Sequence, residues 1–198
     1  MPAQNPVQQI RDDRVQARRL EDPNADVCFL ALADTDGSAS VRTLVLRNIT
    51  ENRFLLFMNQ SSPKWKILNR GGNYELLLWY PSMQRQYRIT GGIHNCDPDF
   101  VRQSWLRRPR GSKYLDILYE QTIDQSEPIA SRETLVAEIN RIKANFDLDT
   151  QVAPAKVAGI ELVASRIEVL DLNREDRIYY RMSYTLEAGT WQPLTLVP

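Results

Sequence analysis

The chain has 198 residues, of which 42% are hydrophobic and 25% are charged, a composition typical of a soluble globular protein. Twenty-five Lys and Arg residues balance 25 Asp and Glu residues, so bulk attraction to nucleic acid or to an anionic membrane is not indicated. The two cysteines and the one histidine fit no metal-ligand spacing, and no apolar run approaches the length of a membrane span. We therefore predict a cytoplasmic protein with no metal site, no nucleic-acid partner and no membrane partner.

The first third of the chain is predicted to contain mainly strands. Residues 1–22 are highly charged and weakly helical, which predicts an N-terminal helical arm. Apolar runs separated by the turns DTDGS and ITEN predict an antiparallel meander over residues 26–58. A helix is predicted over residues 61–70, where two serines can cap it, a proline suits the first turn and two glycines end it.

Helices and strands are mixed in the rest of the chain. Two strands are predicted around the turn PSM within residues 73–95, and Asp97 marks a helix start. Residues 107–113 (RRPRGSK) predict a basic loop before a short helix, and Ser131 is predicted to cap a longer helix. The tail from Lys156 onward predicts four short strands.

These elements predict one domain over residues 1–198, because no repeat, low-complexity segment or long linker divides the chain. The fold class predicted is mainly β with helical additions. Six to eight antiparallel strands of this kind suggest a closed or split β-barrel.

Two segments could bind an anion. The first is Ser61-Ser62-Pro63-Lys64, where two hydroxyls and a lysine at a helix start could hold a phosphate, although a well-capped surface helix explains the same residues. The second is the basic segment 107–113, which could wrap an anion, lie solvated at the surface or, as the least favoured reading, bind nucleic acid.

Acid–base and nucleophile motifs are missing from the sequence. No GxSxG or HExxH pattern occurs, and His94 has no evident partner, so the catalytic residues stay unknown. If the protein is an enzyme, a cofactor is expected to supply the difficult chemistry.

The order of four segments resembles the pyridoxamine 5′-phosphate oxidase family, whose members are FMN proteins with a split β-barrel fold. The segments are RTLVLR, FLLFMNQSSPKWKIL, LLLWYPSMQRQYRITG and SWLRRPRGSKYLDILYEQT, and the resemblance runs from about Asp22 to the C-terminus. It implies an FMN-binding split β-barrel and an oxidase that passes hydride from its substrate to the flavin, which oxygen then reoxidises. It also implies a homodimer with the site at the subunit interface and a small anionic, phosphorylated substrate.

The resemblance assigns both cofactor-binding and substrate-binding residues. The residues implied to contact FMN are Arg42, Thr43, Leu44, Val45, Leu46, Arg47, Phe57, Met58, Ser62, Pro63, Lys64, Gln86, Gln121, Thr122 and Arg177. The residues implied to contact substrate are Arg47, Arg108, Ser112 and Arg174.

The sequence departs from the family pattern mainly on the substrate side. Ser104 stands where the family has a tyrosine, Leu170 where it has a tryptophan, and residues 173–177 lack its histidine. On the cofactor side, Pro63 replaces an arginine. Two alternatives therefore stay open: a flavin oxidoreductase of the same fold with a different substrate, and a non-enzymatic flavin- or haem-binding module.

Overall fold

A computed structural model describes residues 5–172 and 175–198. The described helices are α1 (Pro6–Arg19), α2 (Pro63–Asn69), α3 (Pro98–Leu106), α4 (Arg110–Gln121) and α5 (Arg132–Asn145). The described strands are β1 (Val27–Ala33), β2 (Ala39–Val45), β3 (Asn48–Thr50), β4 (Arg53–Asn59), β5 (Asn73–Tyr80), β6 (Arg85–Asn95), β7 (Val157–Asp171), β8 (Tyr180–Glu187) and β9 (Thr190–Thr195). Each of the described helices is too short or too polar to cross a membrane.

The chain forms two compact units. The first contains Met1–Leu56, Gly71–His94 and Glu161–Pro198, and the second contains Phe57–Arg70 and Asn95–Ile160.

Antiparallel pairing gives the strand order β2-β1-β5-β6-β7-β4-β3, with β8 pairing with β7 and β9. The prediction of a simple meander over residues 26–58 is wrong. The hairpins β1–β2 and β3–β4 form, but β2 and β3 lie at opposite ends of the strand order and do not pair with each other. Strand β5 instead pairs with the other edge of β1, where Leu30 pairs with Leu76. Both leucines are fully buried, so long-range packing decides which strand follows β1. Alternation along one strand carries no information about that choice.

The tail contains fewer strands than predicted. The two strands expected over residues 156–173 are one continuous strand, β7, because the residues between them include no glycine or proline that would end it. The mainly β class with helical additions is confirmed. The described chain has nine strands, one more than the predicted maximum, and the shortest of them, β3, has three residues.

The N-terminal helix α1 is an integral part of the first unit. Val7, Ile10 and Ala17 are buried on one face of it. On the same helix, Asp13 accepts hydrogen bonds from Arg85 of β6 at 2.9 and 3.0 Å. The predicted helix is therefore confirmed, and its buried face packs within this unit.

Two apolar clusters hold the second unit together. Ile117, Leu118 and Ile142 join α4 to α5, while Val101 and Trp105 of α3 pack with neighbouring apolar side chains. The predicted caps Asp97 and Ser131 are confirmed, since each side chain accepts hydrogen bonds from the first turn of its helix.

The basic segment 107–113 is only partly a loop. Helix α4 begins at Arg110, so the second half of this segment is helical. The prediction of a loop through Lys113 is wrong there, because Pro109 starts a helix as readily as it breaks one.

Candidate functional site

The first unit contains the arginine-flanked strand that the resemblance assigns to FMN. Residues 42–45 lie on β2, which pairs with β1 alone among the described strands, and only Leu44 of the four is partly buried. The Arg42 guanidinium donates to the carbonyl oxygen of Val41 at 2.8 Å. The edge position leaves most of these residues accessible.

Strand β2 ends at Val45, two residues before Arg47. Leu46 donates its backbone N–H to Asp26 and Arg47 donates to Leu55, each at 3.0 Å, so the two residues bond to different segments. Leu46 is buried and Arg47 is exposed. Arg42 and Arg47 are therefore not at the two ends of one straight strand.

Gln86 of β6 lies in a largely apolar hollow in the first unit. The hollow has a volume of about 340 Å³ and is lined by Phe29, Leu77, Trp79, Gln86 and Leu172. An amide among aromatic and aliphatic side chains suits a flat heteroaromatic ring that has hydrogen-bonding edges. The ring end of FMN is such a group, so these residues fit it.

The two arginines beside Gln86 are engaged in ion pairs. Arg85 bridges Asp13 and Asp171, with a shortest distance of 2.6 Å to Asp171. Arg88 holds both carboxylate oxygens of Glu75, at 2.6 and 2.9 Å. Neither arginine was assigned to a ligand. Arg85 links β6 to α1 and β7, and Arg88 links β6 to β5 and β7.

The second unit contains a turn that brings hydrogen-bond donors to the start of α2. Asn59 accepts from the Ser61 backbone at 2.9 Å and from the Ser61 hydroxyl at 2.6 Å. Its own Nδ2 is buried and has no hydrogen-bond partner among the described residues. Lys64 is 8% exposed, so this turn offers a buried ammonium group and an orphaned amide donor. Both fit the phosphate end of FMN.

Ser62 caps α2, as the sequence predicted, and its implied contact with FMN stays a prediction. The Ser62 hydroxyl is fully buried, donates to the carbonyl oxygen of Asn59 at 2.6 Å and accepts from the Trp65 N–H at 3.4 Å. It caps a helix of seven residues. The two side chains with donors suited to an anion in this turn are therefore Lys64 and Asn59.

Gln125 is a residue that sequence reasoning missed. Its Oε1 accepts from the Lys64 ammonium at 3.0 Å, and its backbone N–H donates to the Ser61 hydroxyl at 2.9 Å. Gln121 and Thr122, which the resemblance assigned, are exposed at the end of α4. In the sequence, Gln125 is recognisable only as a second glutamine, four residues after Gln121.

The basic segment holds an internal ion pair. Asp116 accepts from the Arg108 guanidinium at 2.7 Å and from the Trp105 indole N–H at 2.9 Å. Burial raises the pKa of Asp116, while Arg108 and Trp105 offset part of that rise. Ser112, which the resemblance assigned to substrate, is half-buried in the first turn of α4.

The remaining assigned residues are scattered. Phe57 is half-buried and Met58 is buried on β4, and Arg177 is exposed with a positive φ of 59°. Pro63 is exposed in the first turn of α2, and Arg174 lies outside the described residues. Among the described residues, no cluster of three or more His, Cys, Asp or Glu side chains could hold a metal ion.

Comparison with known proteins places this geometry in a family. The sequence profile described as pyridoxamine 5′-phosphate oxidase matches residues 15–146. The chain is 31% identical over 185 residues to the pyridoxine/pyridoxamine 5′-phosphate oxidase of Pseudomonas putida, covering 92% of this chain and 83% of that protein. It is 28% identical over 197 residues to the enzyme of the same name from Trichormus variabilis, covering 98% and 89%. The chain therefore belongs to the pyridoxamine 5′-phosphate oxidase family.

Solved structures confirm the fold. PhzG from Burkholderia lata 383, in complex with tetrahydrophenazine-1-carboxylic acid, superposes with a TM-score of 0.88 at 20% identity, covering 100% of this chain and 94% of PhzG. A pyridoxamine 5′-phosphate oxidase-related, FMN-binding protein from Nostoc punctiforme gives 0.76 at 15% identity, covering 99% and 100%. The predicted split β-barrel class is confirmed.

Proposed function

We propose that the protein is an FMN-dependent oxidase. The observation that carries this proposal is the turn at residues 59–64, where a buried lysine and an orphaned amide donor suit a phosphate. Family membership over residues 15–146 supports the same cofactor. When bound, FMN would accept a hydride equivalent from a reduced substrate and pass the electrons to oxygen.

The chain's own residues would bind and orient the cofactor. Lys64 supplies the positive charge for the phosphate, and Asn59 supplies a hydrogen-bond donor from a buried position. Gln86 and the apolar residues around it would hold the ring and exclude water from it. The remaining residues that the resemblance assigns, Arg42 to Arg47 and Arg177 among them, are kept as proposed contacts.

Pyridoxamine or pyridoxine 5′-phosphate is the first candidate substrate. The similar enzymes from Pseudomonas putida and Trichormus variabilis carry that activity in their names. In this proposal Arg47, Arg108, Ser112 and Arg174 would receive the phosphorylated end of the substrate.

A different reduced substrate is the second candidate. Arg108 is paired with Asp116 at 2.7 Å, and Ser104 replaces the tyrosine that the family places beside the phosphate. Tetrahydrophenazine-1-carboxylic acid, the compound bound in PhzG, shows that a similar fold accommodates a carboxylic acid without phosphate. A flavin- or haem-binding module without turnover is the non-enzymatic alternative.

We further propose a homodimer in the cytoplasm. The family resemblance implies a site completed by two subunits, and β2 exposes Val41 and Val45 at the edge of the sheet. Cys28 and Cys96 form no disulfide with each other, which suits a reducing compartment.

The visible spectrum of the purified protein tests the cofactor. We expect the bands of an oxidised flavin, either as isolated or after titration with FMN. A colourless protein that takes up no FMN would remove the proposal.

Peroxide release then tests the reaction. The FMN-loaded protein is mixed with pyridoxamine or pyridoxine 5′-phosphate and, separately, with a partly reduced aromatic carboxylic acid. Turnover of a phosphorylated vitamer supports the first candidate, and turnover of the carboxylic acid alone supports the second. No turnover with any of them favours the binding module.

A further inference from the structure

The carboxylate of Asp116, on helix α4, contacts both the basic segment 107–113 and helix α3. Asp116 Oδ2 accepts both the Arg108 Nη1 donor at 2.7 Å and the Trp105 Nε1 donor at 2.9 Å. The Arg108 and Asp116 side chains are 17% and 7% exposed, and Trp105 is fully buried. The charge of Arg108 is therefore neutralised away from bulk water.

The guanidinium is held in the interior of the unit. Arg108 Nε is buried and has no hydrogen-bond partner among the described residues. An arginine that reached out to a ligand would leave these donors exposed. In Arg108, Nη1 instead donates to Asp116, while Nε stays buried. The carboxylate of Asp116 therefore sets the position of the guanidinium.

The other buried cation of the segment is also used internally. Lys113 donates to the carbonyl oxygen of Leu106 at 2.7 Å, and its ammonium lies 4.9 Å from the centre of the Trp105 ring. Arg110 makes a 3.4 Å contact with Asp149, and both side chains are well exposed. The segment thus offers much less positive charge to a ligand than its sequence suggests.

A phosphomonoester is doubly charged near neutral pH and is best bound by a free, forked guanidinium. At Arg108 it would have to displace Asp116 or lie beside it, and a buried carboxylate next to a dianion is strongly unfavourable. A neutral group or a single carboxylate meets less repulsion.

We infer that Asp116 determines substrate specificity. Its carboxylate already pairs with Arg108, so the basic segment selects against a substrate that carries a phosphomonoester and in favour of a substrate that has no phosphate. This inference rests on the proposed flavin oxidase and names the substrate class of that site. Asp116 acts on the substrate through Arg108 and is a positioning residue.

The test compares a phosphorylated ligand with its unphosphorylated counterpart. Binding of pyridoxamine 5′-phosphate and of pyridoxamine to the FMN-loaded protein is measured by calorimetry, and the ratio of the two dissociation constants gives the preference for phosphate. In the wild type we expect a preference of less than about tenfold, unchanged by Arg108→Gln, because a neutralised arginine contributes little.

Removing the negative charge of Asp116 should create a preference for the phosphorylated ligand over its unphosphorylated counterpart. Asp116→Asn keeps an acceptor for Trp105, and we expect its preference for the phosphorylated ligand to rise at least about tenfold. Asp116→Glu should restore the wild-type ratio, and Arg108→Gln added to Asp116→Asn should abolish the gain. Asp149→Asn, which removes an exposed carboxylate beside the same segment, is the matched control and should change nothing.

The outcomes separate this inference from the proposed function. No increase in phosphate preference in a folded, FMN-loaded Asp116→Asn protein would overturn the inference and leave the flavin oxidase intact. If that variant does not fold, the wild type and Arg108→Gln decide. A wild-type preference of about tenfold or more, or a smaller one that Arg108→Gln reduces, overturns the inference. A preference below about tenfold that Arg108→Gln leaves unchanged supports it. Failure of the wild type to take up FMN would count against the proposed function.

Discussion

Arg85, Arg88 and Arg108 each lie within hydrogen-bond distance of a carboxylate from another part of the chain. In the sequence these residues look alike, as arginines within strand or loop patterns. Their partners, respectively Asp13, Glu75 and Asp116, determine whether they are available to an anion. At the scale of single residues, whether an arginine can bind an anionic ligand depends on whether a carboxylate of the chain already pairs with it.

Lys64 is the lysine of α2 that we expect to bind phosphate. Lys64→Gln should weaken FMN binding about tenfold or more, because a charge-assisted hydrogen bond contributes roughly 1.5–3 kcal/mol. Quenching of flavin fluorescence on titration measures the affinity. Lys66→Gln on the same helix is the control. Lys66 is exposed, and its ammonium lies 4.0 Å from the Asp124 carboxylate. We therefore expect its replacement to leave FMN affinity nearly unchanged. Equal effects of the two changes would contradict the assignment.

Asp26 should make the protein sensitive to acid. Its hydrogen bond from Arg18, at 2.5 Å, together with Arg14, lowers the pKa of Asp26 below its ordinary value of 3.8. The stabilisation is therefore present above about pH 3.8 and is lost as the pH falls through the folded-state pKa. Urea unfolding of Asp26→Asn between pH 6 and pH 3 should show a shallower acid decline than the wild type, and Arg18→Gln should resemble it. Parallel curves for all three proteins would rule this contribution out.

Helix α1 is anchored within the first unit by charged side chains, although its charged composition predicted an arm. Asp13 and Arg14 are buried. Asp13 accepts from Arg85 of β6, and Arg14 donates to the carbonyl oxygen of Ala25, just before β1. Tyr87 also donates a hydrogen bond to Asp13, and burial raises the pKa of that tyrosine. A charged residue on a helix is solvated or buried according to what packs against it.

Removing the Asp13 carboxylate should destabilise the first unit. Asp13→Ala leaves Arg85 with Asp171 alone and leaves the Tyr87 hydroxyl without its acceptor, so we expect a loss of roughly 2–4 kcal/mol. Asp12→Ala on the adjacent, exposed position should change the free energy of unfolding by less than about 0.5 kcal/mol. Urea denaturation measures both, and a similar small effect at the two positions would mean that α1 is not anchored through Asp13.

Two adjacent glycines in β6 differ sharply in what surrounds them. A Cβ at Gly91 would lie 2.0 Å from the Val163 carbonyl oxygen and 2.7 Å from the Ser165 nitrogen, whereas a Cβ at Gly92 would meet nothing within 4 Å. Gly91→Ala should therefore force β6 away from β7 and destabilise the protein by roughly 2–4 kcal/mol. Gly92→Ala should be neutral within about 0.5 kcal/mol. Thermal unfolding of both variants decides, and equal melting temperatures would contradict this close approach.

At the scale of the whole molecule, we expect two copies of the chain to associate into the proposed homodimer. Sedimentation equilibrium should give a mass of about twice the 22.9 kDa of one chain. Val41→Asp places a charge on an edge-strand residue that is 61% exposed, and we expect it to weaken association and FMN binding together. Val152→Asp, at a position 78% exposed in the second unit, is the matched control. A wild-type monomer that still binds FMN would overturn the homodimer while leaving the flavin assignment in place.

Elements that depend on local chemistry could be predicted from the sequence alone. The caps Asp97 and Ser131 and the strands around PSM follow from hydrogen bonding and alternation within a few residues. The order of the motifs was also enough to indicate the family. The folded chain was needed to show that β5 pairs with β1, that Gln125 contacts Lys64, and that Asp116 neutralises Arg108. These are contacts between distant segments or successive helices, and a residue's type does not show which partner burial will bring to it.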